Sequence, residues 1–190
     1  MLDVKAGDEA SFELLLCRYR TPLVNYIARM VGDPGAAEEL AQEVFLRVYR
    51  ARSSYTPDAK FTTWIFRIAT NLSLNALRDG RYRQLEVPIH LPQRSENRER
   101  TDLEIADARP GVEQRLEARD RASFIRQAIE ELPEKQRAAV LLHKYEEMDY
   151  AQIAAILHCS ESALKSLLFR AYETLRAKLA PLAPGTRHVA

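Results

Sequence analysis

Apolar side chains recur three and four residues apart along almost the whole chain, and this spacing constrains the fold more than any other feature. Phe12, Leu15, Leu16, Tyr19, Leu23, Tyr26, Ile27 and Met30 form one such stripe. A period near 3.6 puts them on one side of a helix, whereas a half-buried strand needs strict alternation, which is nearly absent. Glycine, which weakens helices, occurs 6 times in 190 residues. The expected fold class is therefore all-α, and the 46% hydrophobic content suffices for a buried core.

Punctuation divides this helical pattern. A first stretch covers residues 8–31, and Pro22 inside it is expected to kink or split the helix near residues 18–21, because proline lacks an N–H and clashes with the preceding turn. Gly32-Asp33-Pro34 supplies a glycine stop, an aspartate N-cap and a proline at the first helical position, so a second helix runs to about residue 50. After a loop with Tyr55, Pro57 and Asp58, the run KFTTWIFRIATNLSLNALRDGRYR makes a third long helix ending near Gly80. Its expected core face is Phe61, Ile65, Ile68, Leu72 and Ala76. Residues 86–110 hold Pro88, Pro92 and Pro110 among dense mixed charge, and read as a linker. From 93 to 120, six arginines face eight acids, for a net charge of −2. Helices resume after Gly111 and break at Pro133. They continue over 134–144, 150–157 and 161–179, before a tail, PLAPGTRHVA, expected to fray. Asp149 and Gln152 have the spacing of a capping box.

Composition narrows the function. The formal net charge of +1 conceals any basic footprint unless it is local. Cys17 and Cys159 stand far apart, which suits reduced thiols and a cytoplasmic protein. No apolar run approaches the ~20 residues of a membrane span, and the N-terminus lacks a basic-then-apolar signal pattern. The four histidines and two cysteines form no Cys-x-x-Cys or His-x-x-x-His pattern, and adjacent His158 and Cys159 are read as incidental. No glycine-rich phosphate loop or nucleophile signature is found, so no metal, cofactor or catalytic activity is expected.

The stretch AQIAAILHCSESALKSLLFRA is a short apolar helix, a break at His158-Cys159-Ser160, and a longer helix. At about 100° per residue, Leu164, Leu168, Ala171 and Leu175 share one narrow face. Ser162, Lys165, Ser166, Phe169 and Arg170 lie opposite, near the N-terminus, as in a helix that enters a major groove. A plain αα-hairpin with a solvated face has the same geometry. Phe169 on that face calls for a covering partner, DNA or protein.

GDPGAAEELAQEVFLRVYRA, then KFTTWIFRIATNLSLNALR, then a charged linker, then LPEKQRAAVLLHKYEEMDYAQIAAILHCSESALKSLLFRAYETLR resembles, in order, the bacterial sigma factors of the extracytoplasmic-function (ECF) group. The resemblance implies two small helical domains joined by a flexible linker, the second with a helix-turn-helix. They would cover residues 8–85 and 112–180, with the linker at 86–111. It also implies binding to core RNA polymerase and direction to promoter DNA. By position, Glu39, Gln42, Glu43 and Leu46 match the family's polymerase-binding helix, with Leu40, Val44, Phe45 and Val48 on the packed side. The third helix matches the element that opens and reads the minus-ten motif. Five cations against one aspartate give residues 60–83 a net charge of +4. Tyr55, Phe61, Trp64 and Phe66 interleave with them, as rings that stack on unpaired bases do, although core packing of Phe61 and Trp64 is the stronger expectation. Arg67, Asn71, Asn75 and Arg78 lie roughly on one side and are the better candidates for DNA contact.

Ser162, Lys165, Ser166, Phe169 and Arg170 become, on the same resemblance, candidates for the minus-thirty-five element. This chain departs from the family at His158, where glycine is common in the turn, and at Leu167, where arginine is common. The linker would thread the polymerase, and members are often restrained by an anti-sigma protein. The free chain is expected to be a monomer. Two other readings stay open on the sequence: a stand-alone helix-turn-helix regulator, for which no dimerisation helix is evident, and a helical adaptor, which leaves the +4 stretch without a purpose.

Overall fold

Every regular element in the computed structural model, which describes residues 1–80 and 112–182, is helical. In order these are α1 (Leu2–Lys5), α2 (Glu9–Val31), α3 (Pro34–Arg50), α4 (Phe61–Arg78), α5 (Val112–Glu130), α6 (Glu134–Lys144), α7 (Tyr150–Leu157) and α8 (Glu161–Leu179), with 3-10 turns at Arg52–Ser54 and Ala180–Leu182. The charged linker at 86–111, Arg81, Arg83 and residues 183–190 of the tail lie outside the described residues.

The boundaries follow local chemistry. Gly32 ends α2 in the left-handed conformation, φ +81°, which glycine adopts without a Cβ penalty. Asp33 then accepts from the amides of Gly35 and Ala36 at 2.7 and 3.2 Å, with Pro34 at the first helical position. The Asp149–Gln152 capping box forms: Gln152 N donates to Asp149 Oδ1 at 2.8 Å and Asp149 N to Gln152 Oε1 at 3.1 Å.

Pro22 does not split its helix. Residues on both sides of it belong to the continuous helix Glu9–Val31. Leu23, Tyr26, Ile27 and Met30 beyond the proline are fully buried, and Phe12, Leu16 and Tyr19 before it pack against the same core. Burial at about 1.5–3 kcal/mol per large side chain outweighs the ~3 kcal/mol that a mid-helix proline costs.

Helices α2, α3 and α4 pack on one another, as do α6, α7 and α8, and α5 adds its end beside α8. The two groups also touch, α4 on α7 and α2 on α6, so buried residues of both halves form one continuous cluster. Contact on more than one side widens the core face of α4. Ile65, Leu72 and Ala76 are buried, Phe61 and Ile68 only partly, and Phe66, Ala69, Thr70 and Ser73 are buried as well. The hydroxyls this encloses are paired: Thr70 donates to Phe66 O at 2.7 Å and lies 2.8 Å from the Tyr26 hydroxyl, and Ser73 donates to Ala69 O at 2.9 Å.

Candidate nucleic-acid interface

On α3, burial of Ala37, Ala41, Val44, Phe45 and Val48 turns the opposite side to solvent. Glu39, Gln42 and Leu46 are exposed there, and half-buried Glu43 accepts from Arg47 Nε at 2.8 Å. Leu46 is 49% exposed. Beside it runs an apolar groove of about 460 Å³, with Phe12 and Leu16 of α2 facing Phe45, Leu46 and Tyr49 of α3. The Arg20–Glu38 pair, at 3.1 Å, borders this groove. Sequence reasoning placed the α3 residues but missed the α2 wall. Phe12 and Leu16 belong to the same apolar stripe as the fully buried residues of α2, and periodicity alone does not separate core from groove.

On α4, the candidates divide by exposure. Asn71, Asn75 and Arg78 are exposed, and Arg78 donates to Asn75 Oδ1. Arg67 is half-buried, and its buried Nε meets no acceptor within the protein. Tyr55 is buried: the residue is 8% exposed and its ring lies 5.1 Å from Trp64 and 6.4 Å from Phe61, which itself packs 5.2 Å from Tyr19. Edge and tilted contacts of this kind stabilise the rings against each other. Burial also pushes the Tyr55 phenol above its ordinary pKa. Phe61 and Trp64 are half-buried in this cluster, and Phe66 is buried 5.3 Å from Tyr26.

On α8, the two faces separate cleanly. Leu164, Leu168, Ala171 and Leu175 are buried, while Ser162, Lys165, Ser166, Phe169 and Arg170 are all exposed, Phe169 by 68%. Ser160 caps the helix, accepting from Ala163 N at 3.2 Å. His158 takes the left-handed conformation, φ 52° and ψ 51°, that glycine would adopt freely. Leu167 is half-buried against the core, so it packs inward. His143 has a structural role: its Nδ1 lies 2.7 Å from the Tyr172 hydroxyl, joining α6 to α8, and its ring lies 5.4 Å from Tyr150 of α7. Burial, and then nearby Lys144, lower the His143 pKa. Among the described residues, no group of three or more His, Cys, Asp or Glu could hold a metal ion, and no helix is long and apolar enough to cross a membrane.

Residues 15–83 match the family model of sigma-70 region 2, and residues 125–175 match that of sigma-70 region 4. The RNA polymerase sigma-H factor of Pseudomonas aeruginosa is 30% identical over 94% of this chain and 91% of its own length. The ECF RNA polymerase sigma-E factor of Escherichia coli is 31% identical over 94% and 92%. The chain belongs to the ECF RNA polymerase sigma factors. Solved structures show the same fold. CnrH in complex with the cytosolic domain of CnrY superposes with a TM-score of 0.68 at 20% identity, covering 95% of both chains. The sigma factor RpoE of Bartonella quintana, in complex with the anti-sigma factor NepR, gives 0.63 at 22%, covering 90% of this chain and 97% of that one. As a sigma factor, the chain binds core RNA polymerase and directs promoter-specific transcription initiation.

Proposed function

We propose that this sigma factor divides its work between residues 8–85, which bind polymerase and open the minus-ten region, and residues 112–180, which read the minus-thirty-five region as duplex, with 86–111 as the linker. The observation that carries this reading is α8, whose five polar and aromatic candidates are exposed together over a fully buried inner face. Such a helix fits a major groove, with Lys165 and Arg170 for phosphates or guanine edges and Ser162 and Ser166 for short polar contacts. Phe169 has an apolar ring for a thymine methyl. Inward Leu167 contributes no base contact.

Polymerase docking falls to Glu39, Gln42, Glu43 and Leu46, where an exposed leucine among acids and an adjoining apolar groove suit a protein surface. Minus-ten contacts fall to Arg67, Asn71, Asn75 and Arg78, with half-buried Phe61 at the margin and Tyr55 withdrawn to the core. The chain acts without catalytic chemistry of its own, in the cytoplasm, as a monomer when free. Restraint by an anti-sigma factor is part of this reading, since solved relatives are complexes with NepR and with the cytosolic domain of CnrY.

Charge reversal at Glu39 and Glu43 tests the division. Core-polymerase affinity should fall about tenfold, equivalent to ~1.4 kcal/mol, while duplex binding through α8 stays unchanged. Equal loss of both would contradict it.

A further inference from the structure

The chain enters α4 through Thr56, Pro57, Asp58, Ala59 and Lys60, and all five are exposed. Side-chain capping fixes the starts of α3 and α8, but Lys60, at the N-cap position of α4, makes no cap hydrogen bond. The entry to α4 is held one step upstream, at Tyr55. Its ring lies against Trp64 and Phe61, and its carbonyl accepts from Lys5 Nζ at 2.9 Å, across 50 residues of sequence. A bond donated by an ammonium is stronger than a neutral one, and it ties the turn before this loop to the first helix of the chain.

Local chemistry brings α1 to that position. Gly7 has φ +97°, a left-handed conformation that turns the chain between α1 and α2, and Asp8 N donates to Asp3 O at 3.0 Å across the turn. Asp8 then caps α2, accepting from Ala10 N at 3.0 Å. A helix of four residues has no stability of its own, so docking keeps α1 in place. Val4 is 2% exposed, and α1 packs on both α2 and the 3-10 turn at Arg52–Ser54. Val4 anchors the helix and Lys5 extends from it to Tyr55.

Tyr55 in turn supports the ring at the open margin of α4. Phe61 is half-buried, with the Tyr55 ring 6.4 Å away and the Tyr19 ring 5.2 Å away. Tyr19 belongs to α2, which the core fixes, whereas Tyr55 sits in a turn that is tied to the N-terminal helix through Lys5. We propose that Lys5 is a positioning residue for minus-ten recognition: α1, anchored by Val4, holds Tyr55 and so sets where Lys60 and Phe61 stand for DNA. The inference rests on reading α4 as the minus-ten helix. Lys5 acts through Tyr55 and does not itself meet DNA.

Trp64 is the one tryptophan of the chain and lies 5.1 Å from Tyr55, so its fluorescence reports on this cluster. In full-length Lys5→Met its emission should move to longer wavelength as water reaches the rings, and in Lys5→Arg it should stay at the wild-type position. With core polymerase, on promoters that the wild type selects from a library, permanganate reactivity of unpaired thymines measures opening. Lys5→Met should lower opening about fivefold, within the range of one hydrogen bond, while core affinity and duplex binding through α8 hold. Lys5→Arg should restore opening. Val4→Asp, which undocks α1 and leaves the lysine in place, should lower opening as well. Opening unchanged in Lys5→Met, or lowered without a shift in Trp64 emission, would overturn the proposal. So would wild-type opening by Val4→Asp, which would make Lys5 a direct DNA contact, or an equal loss of core affinity, which would reduce Lys5 to a part of the general fold. Failure of the wild type itself to open any promoter would overturn the reading of α4, and the proposal with it.

Discussion

Helices α4 and α8 both carry proposed DNA contacts, yet they are built differently. Helix α8 buries one narrow stripe and turns everything else outward, so its candidates stand together in solvent. Helix α4 is packed by α2, α3 and α7, and its candidates form a strip at the margin, with Arg67 half covered. A helix that reads intact duplex needs only a convex polar face fixed on a rigid support. One that captures unpaired bases also works beside rings and the core, so its function and its packing draw on the same residues.

The sharpest way to test the contrast uses neighbouring positions on α8. Leu168→Ala should destabilise the protein by about 2–5 kcal/mol through a cavity, whereas Phe169→Ala should change stability by no more than ~0.5 kcal/mol while weakening duplex binding. Denaturant titration with parallel duplex binding checks both. Comparable destabilisation by the two would mean that Phe169 is not the free ring its 68% exposure indicates. A smaller effect is expected at the turn before α8. His158→Gly should stabilise by about 1 kcal/mol, because glycine accepts the left-handed conformation without strain. A higher urea midpoint at unchanged slope would record it.

The seam between the halves adds a pH dependence. Burial pushes the Glu146 carboxyl up to about 7, against the opposing influence of Arg29. A carboxyl raised in the folded state contributes stability that is complete below its ordinary value of 4.5 and lost as pH rises through about 7. Arg18, Tyr19, Lys60 and Glu147 line a cleft with this carboxyl, and Tyr26 and Arg29 of α2 interact with it electrostatically. His143, whose pKa is lowered, works in the opposite direction, favouring the fold as pH rises. Glu146→Gln isolates the first contribution: its melting temperature should fall less than wild type between pH 5 and pH 8, and parallel profiles would remove Glu146 as the cause. Smallest of all, Lys165→Ala should reduce the salt slope of duplex binding by about one if the ammonium meets a phosphate. An unchanged slope would take Lys165 out of the interface.

How much of this the residues disclosed differs between the same two helices. The inner and outer faces of α8 follow from a single period, because one neighbouring layer decides burial, and Ser160, His158 and the Asp149–Gln152 box mark its surroundings by local chemistry. On α4 the period was visible, but Thr63, Phe66 and Thr70 are buried by contacts between segments remote in sequence, which no local pattern encodes. The burial of Tyr55 was hidden for the same reason: its ring reads as exposed until Phe61 and Trp64 are placed against it. Pro22 shows the same limit in reverse, with tertiary burial overriding a local signal for a break.

The most direct test of the central claim is in vitro transcription with core RNA polymerase on a library of candidate promoters, with and without the full chain. A sigma factor with these two readers should select a set of start sites that share two upstream elements. Charge reversal at Lys165 and Arg170 should lower use of those sites through the upstream element while core binding is retained. Start-site selection identical with and without the protein would contradict the account.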